Sequence, residues 1–226
     1  MSLPDSGAAA AGFVLAGGQS SRMGADKALS ELAGEPLLAR ALGILREAGL
    51  PGAIAGARSP LGGFAPVVED AALGLGPLGG VCAAMASTQA QHAVFLSVDM
   101  PLLPASLVAY LLRHAQITGA AVTVPSVNGF AQTFPAVVDR DALSALETSL
   151  LSGHGGCFAA FRAAAVKLGR RFSILPVELL AQPGHVAHAD GLPAAFWFLN
   201  VNGPAELERA QALNSAFHQD ASHRVS

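Results

Sequence analysis

The chain has 226 residues, 52% of them hydrophobic and 13% charged, with a formal net charge of −3. A chain this long and this apolar can bury a large core, which excludes intrinsic disorder. Its thirteen Lys and Arg are scattered, which excludes the broad basic surface that nucleic acid requires as a partner.

Residues 1–11 are small and polar, with no positively charged run, and the apolar stretch after them is too short to cross a bilayer. No membrane partner is expected. Residues 12–16, Gly-Phe-Val-Leu-Ala, form a short apolar run stopped by glycines and predict a buried strand. Residues 17–27 form a polar, Gly-containing loop. Residues 36–48 carry apolar side chains at helical spacing, with Pro36 at the start and Gly49 as the stop.

Short strands are predicted at 53–55 and 66–68, then a helix at 77–87. Residues 92–98 form the clearest strand, with Asp99 at its C-terminal end. A Pro-started helix at 104–116 follows, then strands at 120–124 and 133–138, helices at 139–151 and 157–166, and strands at 172–175 and 196–199. The last helix is predicted at 204–216, with a frayed tail from Gln219. Segments 126–131 and 182–193 read as loops, and the pair Arg170–Arg171 as a solvated strand end.

Strand–helix alternation implies an α/β protein with a mostly parallel central sheet flanked by helices. No linker divides the chain, so one domain spanning 1–226 is expected, with an ordered core of about 11–216. Cys82 and Cys157 sit in apolar, Ala-rich stretches and make neither a disulfide framework nor a zinc site. A cytoplasmic location is therefore expected. The seven histidines show no metal-ligand spacing; His185 and His188 lack a third ligand and read as surface residues.

In open parallel sheets, ligands sit outside the carboxyl ends of the strands. Asp99 and the loop after Ala16 both fall there. The loop runs Leu15-Ala16-Gly17-Gly18-Gln19-Ser20-Ser21-Arg22-Met23-Gly24-Ala25-Asp26-Lys27. Its glycines let backbone N–H groups approach a ligand closely, while Arg22 and Lys27 supply positive charge and Ser20 and Ser21 hydroxyl donors. A polyphosphate needs this mixture. The loop is not a P-loop, because the Gly18 to Gly24 spacing is too long and Ala25 follows Gly24. The Gly-x-Gly-x-x-Gly match at 74–79 is separated from the strand before it, which argues against a dinucleotide fingerprint.

The pattern Leu15-Ala16-Gly17-Gly18-x-Ser20-x-Arg22-Met23-Gly24-x-Asp26-Lys27 resembles the signature of the molybdenum cofactor guanylyltransferases. Three further segments agree in order: Glu69-Asp70 with Gly76-Pro77-Leu78-Gly79-Gly80, Val98-Asp99-Met100-Pro101, and Asn200-Val201-Asn202-x-Pro204-x-Glu206-Leu207. Together they run from about Gly12 to Ala210. The resemblance implies a single Rossmann-like domain that transfers GMP from GTP to the phosphate of molybdopterin and releases pyrophosphate. It also implies proteins that deliver molybdopterin and molybdoenzymes that accept the product. Gly17 in the Leu-Ala-Gly-Gly form is similar to the guanylyl rather than the cytidylyl members. Three places depart from the family pattern. Gly203 stands where the family carries Thr, the nucleotide-contacting Asn expected near 55–58 is missing, and the pterin-facing region 128–134 matches poorly.

Transfer at an α-phosphorus builds negative charge that positioned cations must stabilise. The expected nucleotide site comprises Leu15, Ala16, Gly17, Gly18, Arg22, Lys27, Asp70 and Asp99. Lys27 is assigned to the α-phosphate and Arg22 to the leaving β- and γ-phosphates. Asp99 is assigned as a ligand of Mg²⁺, the expected cofactor. Lys27, Arg22 and Asp99 form the expected catalytic set. Asn202 has three readings: it completes the metal shell, meets the acceptor, or caps the last helix. Asp26 either orients Lys27 or caps the helix that follows. Asp70 is carried over from the family as a nucleotide contact, its other reading being a polar turn residue.

Overall fold

The computed structural model describes residues 9–16, 24–56, 61–69, 75–153 and 156–223, excepting the side chains of 24–26 and 219–223. The first strand, β1 (Ala10–Leu15), is buried along its whole length. It is followed by α1 (Gly24–Leu29) and a small antiparallel hairpin of β2 (Glu31–Leu32) and β3 (Glu35–Pro36). Next come α2 (Leu37–Glu47), β4 (Gly52–Ala55), β5 (Val67–Val68), α3 (Gly76–Ala86) and β6 (His92–Ser97).

The second half begins with α4 (Ala105–Thr118) and β7 (Val122–Val127), which turns back as β8 (Phe130–Ala131). It continues through β9 (Ala136–Asp139), α5 (Leu143–Ser152), α6 (Cys157–Lys167), β10 (Phe172–Pro176), α7 (Val177–Ala181) and α8 (Pro204–His223).

The main sheet has eight strands, with the path β10-β7-β9-β6-β1-β4-β5 and β8 attached to β7. Neighbours β4–β5, β1–β4, β1–β6 and β7–β10 are parallel, and β9 runs antiparallel between β6 and β7. The expected mostly parallel sheet is therefore observed. Its central strands read as unbroken apolar runs because helices cover both faces. From β1 the chain crosses through α2 to β4 on one side, whereas from β5 it returns through α3 to β6 on the other. Right-handed crossovers in opposite directions place α2 and α3 on opposite faces. The reversal opens a crevice at the C-terminal ends of β1 and β6, the switch point where ligands bind in such sheets.

Packing fixes this arrangement closely. The apolar stripe of α2, Leu37, Leu38, Ala41, Ile44 and Leu45, is buried in the core. A Cβ at Gly12 would stand 2.8 Å from Leu45, so glycine lets β1 and α2 approach each other. Phe13 and Phe95 stack across β1 and β6, with ring centroids 5.7 Å apart.

Four expectations are corrected. Residues 24–27 are not part of a loop, because the chain is helical from Gly24 as α1. Residues 126–131 are not a loop: Asn128 (φ 51°) and Gly129 (φ 80°) turn β7 into β8. Two consecutive positive φ angles are what a two-residue hairpin turn demands, and Asn-Gly supplies them at low cost. Residues 196–199 are not a strand. Ala194–Phe196 is a 3₁₀ turn, and Trp197 is buried with its indole N–H donating to the Leu192 carbonyl at 2.7 Å. Asp139 ends β9 and caps the 3₁₀ turn Arg140–Ala142 that leads into α5, so the helix expected from Asp139 is observed, whereas the backbone of α8 stays helical beyond Gln219 to His223.

Candidate active site

In the parallel register of β1 and β6, Leu15 lies opposite Ser97. Beyond that pair β6 leads into a turn carrying Asp99. The turn is closed by Met100 N–H to the Ser97 carbonyl at 3.4 Å, and Val98 N–H donates to the Leu15 carbonyl at 3.3 Å. Leu15 and Ala16 are buried. Ala16 N–H reaches the Ala55 carbonyl at 3.1 Å, extending β1–β4 pairing by one residue.

Lys27, in the last turn of α1, projects into this crevice. Its ammonium donates to Asp99 Oδ2 at 3.1 Å and to Asn202 Oδ1 at 2.8 Å. The three residues are 72 and 175 positions apart in sequence, so only tertiary folding brings them together. The segment carrying Asn202 is clamped from the other side, because Val201 N–H donates to the Asp99 carbonyl at 2.8 Å. The side chains of Lys27 and Asp99 keep 24% and 22% exposure, so a ligand can reach both. Ser97 donates its hydroxyl to Asp99 Oδ1 at 2.5 Å. Sequence reading missed Ser97, since a serine at a strand end carries no signal of its own.

Of the expected site residues, the structure gathers Leu15, Ala16, Lys27, Asp99 and Asn202 at one point. Gly17, Gly18, Arg22 and Asp70 lie outside the described residues. The backbone of Asp26 lies in the first turn of α1, and its side chain is likewise outside the description. For Asn202, the amide oxygen is held by the Lys27 ammonium.

One carboxylate oxygen and one amide oxygen thus converge on a single positive charge. Such an all-oxygen donor set suits a hard divalent cation, which takes one or two protein oxygens and completes its shell with phosphate and water. Among the described residues, no group of three or more His, Cys, Asp or Glu is placed to hold a metal. The histidines of 182–193 do not pair as ligands. His185 stacks on Tyr110 at 6.2 Å, while His188 Nδ1 lies 3.8 Å from Asp190. No helix among the described residues is long and apolar enough to cross a membrane.

The family model "MobA-like NTP transferase domain" matches residues 12–168, more than half of the chain. The chain belongs to this family. A probable molybdenum cofactor guanylyltransferase of Pelotomaculum thermopropionicum is 31% identical over 207 residues, covering 90% of this chain and 93% of that protein. A molybdenum cofactor guanylyltransferase of Xanthomonas euvesicatoria is 46% identical over 107 residues, 46% of this chain and 54% of that protein. Among solved structures, molybdopterin-guanine dinucleotide biosynthesis protein A of Archaeoglobus fulgidus superposes with a TM-score of 0.71 at 20% identity. The match covers 91% of this chain and 98% of that one, and it carries the fold alone. Membership makes this chain an enzyme that transfers nucleotidyl groups, and it places the Lys27–Asp99 contact within the family domain.

Proposed function

We propose that the chain transfers GMP from GTP to the terminal phosphate of molybdopterin, with Mg²⁺ as cofactor and pyrophosphate as the leaving group. The observation that carries this reading is the convergence of Lys27, Asp99 and Asn202 at the switch point of the sheet. The names of the guanylyltransferase relatives supply the donor and the acceptor class.

An acceptor phosphate oxygen attacks the α-phosphorus in line, a new P–O bond forms, and the bond to the bridging oxygen of pyrophosphate breaks. Charge grows on the non-bridging oxygens and on the leaving group, so positioned cations lower the barrier. Lys27 turns its ammonium from Asp99 and Asn202 towards the α-phosphate. Arg22, from the same loop, holds the leaving phosphates by its planar fork. Asp99 and Asn202 would hold Mg²⁺, which when bound neutralises phosphate charge. Asp70 and the backbone of Gly17 and Gly18 complete the nucleotide site. The acceptor enters along the same sheet edge, where the β7–β8 hairpin presents Phe130 at 74% exposure. Proteins that deliver molybdopterin and receive the product belong to the same proposal.

The test is thermal stabilisation by GTP, CTP, ATP and UTP, each with and without Mg²⁺, on the wild type and on Asp99→Ala. A ligand selective for the folded state at a hundredfold excess over its Kd contributes about 2.7 kcal/mol. A GTP-selective, Mg²⁺-dependent shift that Asp99→Ala abolishes is the expected result, followed by GMP transfer to molybdopterin in a direct assay. Preference for CTP or UTP would replace the donor. Absence of any shift from a folded sample would overturn the site.

A further inference from the structure

Asp99 is held at its main chain but not by its main chain alone. Val98 N–H on the Leu15 carbonyl and Val201 N–H on the Asp99 carbonyl fix the backbone on both sides of the crevice. The carboxylate still has its terminal torsion, which is broad and nearly two-fold in aspartate. Rotation about that bond tilts the carboxylate plane and turns its lone pairs away from the crevice. Among the described residues two side chains oppose this rotation, Ser97 and Lys27, and Ser97 alone remains once Lys27 turns to the α-phosphate. The Ser97 hydroxyl donates to Oδ1 at 2.5 Å, leaving Oδ2 directed at the Lys27 ammonium 3.1 Å away. A hydrogen bond to a charged acceptor is among the strong ones.

We infer that Ser97 is a positioning residue: its hydroxyl locks the Asp99 carboxylate so that Oδ2 faces the cation of the reaction. The inference rests on the reading of Asp99 as the metal carboxylate. Ser97 touches neither nucleotide nor metal; it acts through Asp99. Its place in the register makes this function available, because the last paired residue of β6 lies two positions before Asp99 and the turn between them folds the two side chains together. Groups that orient metal-ligating carboxylates typically contribute about 10- to 100-fold to metal affinity.

Threonine and valine have nearly the same shape, and only threonine keeps the hydroxyl. Ser97→Thr and Ser97→Val therefore separate the hydrogen bond from the packing. Mn²⁺ binding to the full chain is followed by electron paramagnetic resonance, in the presence of a non-hydrolysable GTP analogue. Ser97→Val is expected to bind Mn²⁺ about 10- to 100-fold more weakly than wild type, and Ser97→Thr to restore most of the loss. Thermal unfolding of the two variants without metal is expected to coincide. Equal Mn²⁺ affinity in the Val and Thr variants would overturn the positioning role. If Ser97→Val does not fold, Ser97→Ala read against wild type decides the same question, with undiminished affinity counting against the inference. A wild type that binds the nucleotide but no Mn²⁺ would instead overturn the metal reading of Asp99, an outcome distinct from equal affinities among variants.

Discussion

Two carboxylate–cation clusters stand at opposite edges of the same sheet. At the C-terminal edge Asp99 meets Lys27; at the N-terminal edge Asp139 meets Arg170. A carboxylate offers about four lone-pair positions. Asp139 fills four: Arg170 Nη1 at 2.9 Å, Arg170 Nη2 at 2.8 Å, Gln91 Nε2 at 3.0 Å and the Asp141 N–H at 3.0 Å. Arg170 is occupied as well, donating from Nε and Nη2 to the Gly119 carbonyl at 2.9 and 2.8 Å. Among the described residues Asp99 receives only Ser97 and Lys27 at its carboxylate. Asp139 is 3% exposed and Asp99 22%. The chemistry is the same, and saturation separates the two. The Asp139 cluster ties β9, the start of β10 and the start of β7 together, whereas Asp99, with two partners among the described residues, stays open to solvent.

This contrast is sharpest where each cluster is broken. Asp99→Ala is expected to lower the rate of nucleotidyl transfer by about 10²- to 10³-fold, with little change in thermal midpoint. Steady-state kinetics and calorimetry on the same samples check it, and a collapse of stability with the rate would make Asp99 structural. Arg170→Met should do the reverse. Removing one partner of a buried pair leaves Asp139 uncompensated, at a cost of about 3 kcal/mol in urea denaturation, while nucleotide affinity of the folded fraction stays unchanged. Impaired nucleotide binding in folded Arg170→Met would erase the division between the edges.

Acid should weaken the N-terminal edge. Burial pushes the Asp139 carboxyl upward, but hydrogen bonds from Arg170, Gln91 and the Asp141 N–H outweigh it and hold it below the ordinary value. Its contribution is present above the unfolded value near 3.8 and is lost as pH falls through the lower folded value. His92, beside Asp139, is shifted in the same direction by a different cause. Burial holds its pKa below 6.5 even though Asp139 opposes the shift. The unfolded chain therefore takes up protons first, and stability declines as pH falls below about 6.5. His114 and His188, also lowered chiefly by burial, add to the same decline. Denaturation from pH 7.5 to 5 should show this loss, and His92→Gln should reduce it. An unchanged pH slope in that variant would remove His92 from the account. The smallest expected effect is Gly129→Ala, at about 1–2 kcal/mol, since an L side chain at φ 80° is strained in the hairpin turn.

How much of this was legible beforehand depends on sequence distance. Strands β1 and β6 announced themselves because a strand buried on both faces is a continuous apolar run. Lys27 and Asp99 were legible for a related reason, as charged residues following such runs. The Asn128-Gly129 pair carries a hairpin signal of its own in its turn chemistry. Residues 196–199 misled because an aromatic run satisfies strand and buried-turn patterns alike, and the hydrogen bond of Trp197 to Leu192 is invisible in composition. Arg170 looked like a solvated strand end because its partner Asp139 lies 31 positions away.

The sequence by itself determined the alternation of strands and helices, the family signature, and two of the charged residues at the crevice. These are local properties, written in runs of a few neighbouring side chains. The tertiary structure alone decided that Asn202 joins Lys27, that Ser97 takes one oxygen of Asp99, and that Asp139 rather than Asp99 is saturated. Each of those depends on how a folded sheet brings side chains into hydrogen-bond range, and geometry of that kind is absent from the order of residues until the sheet is formed.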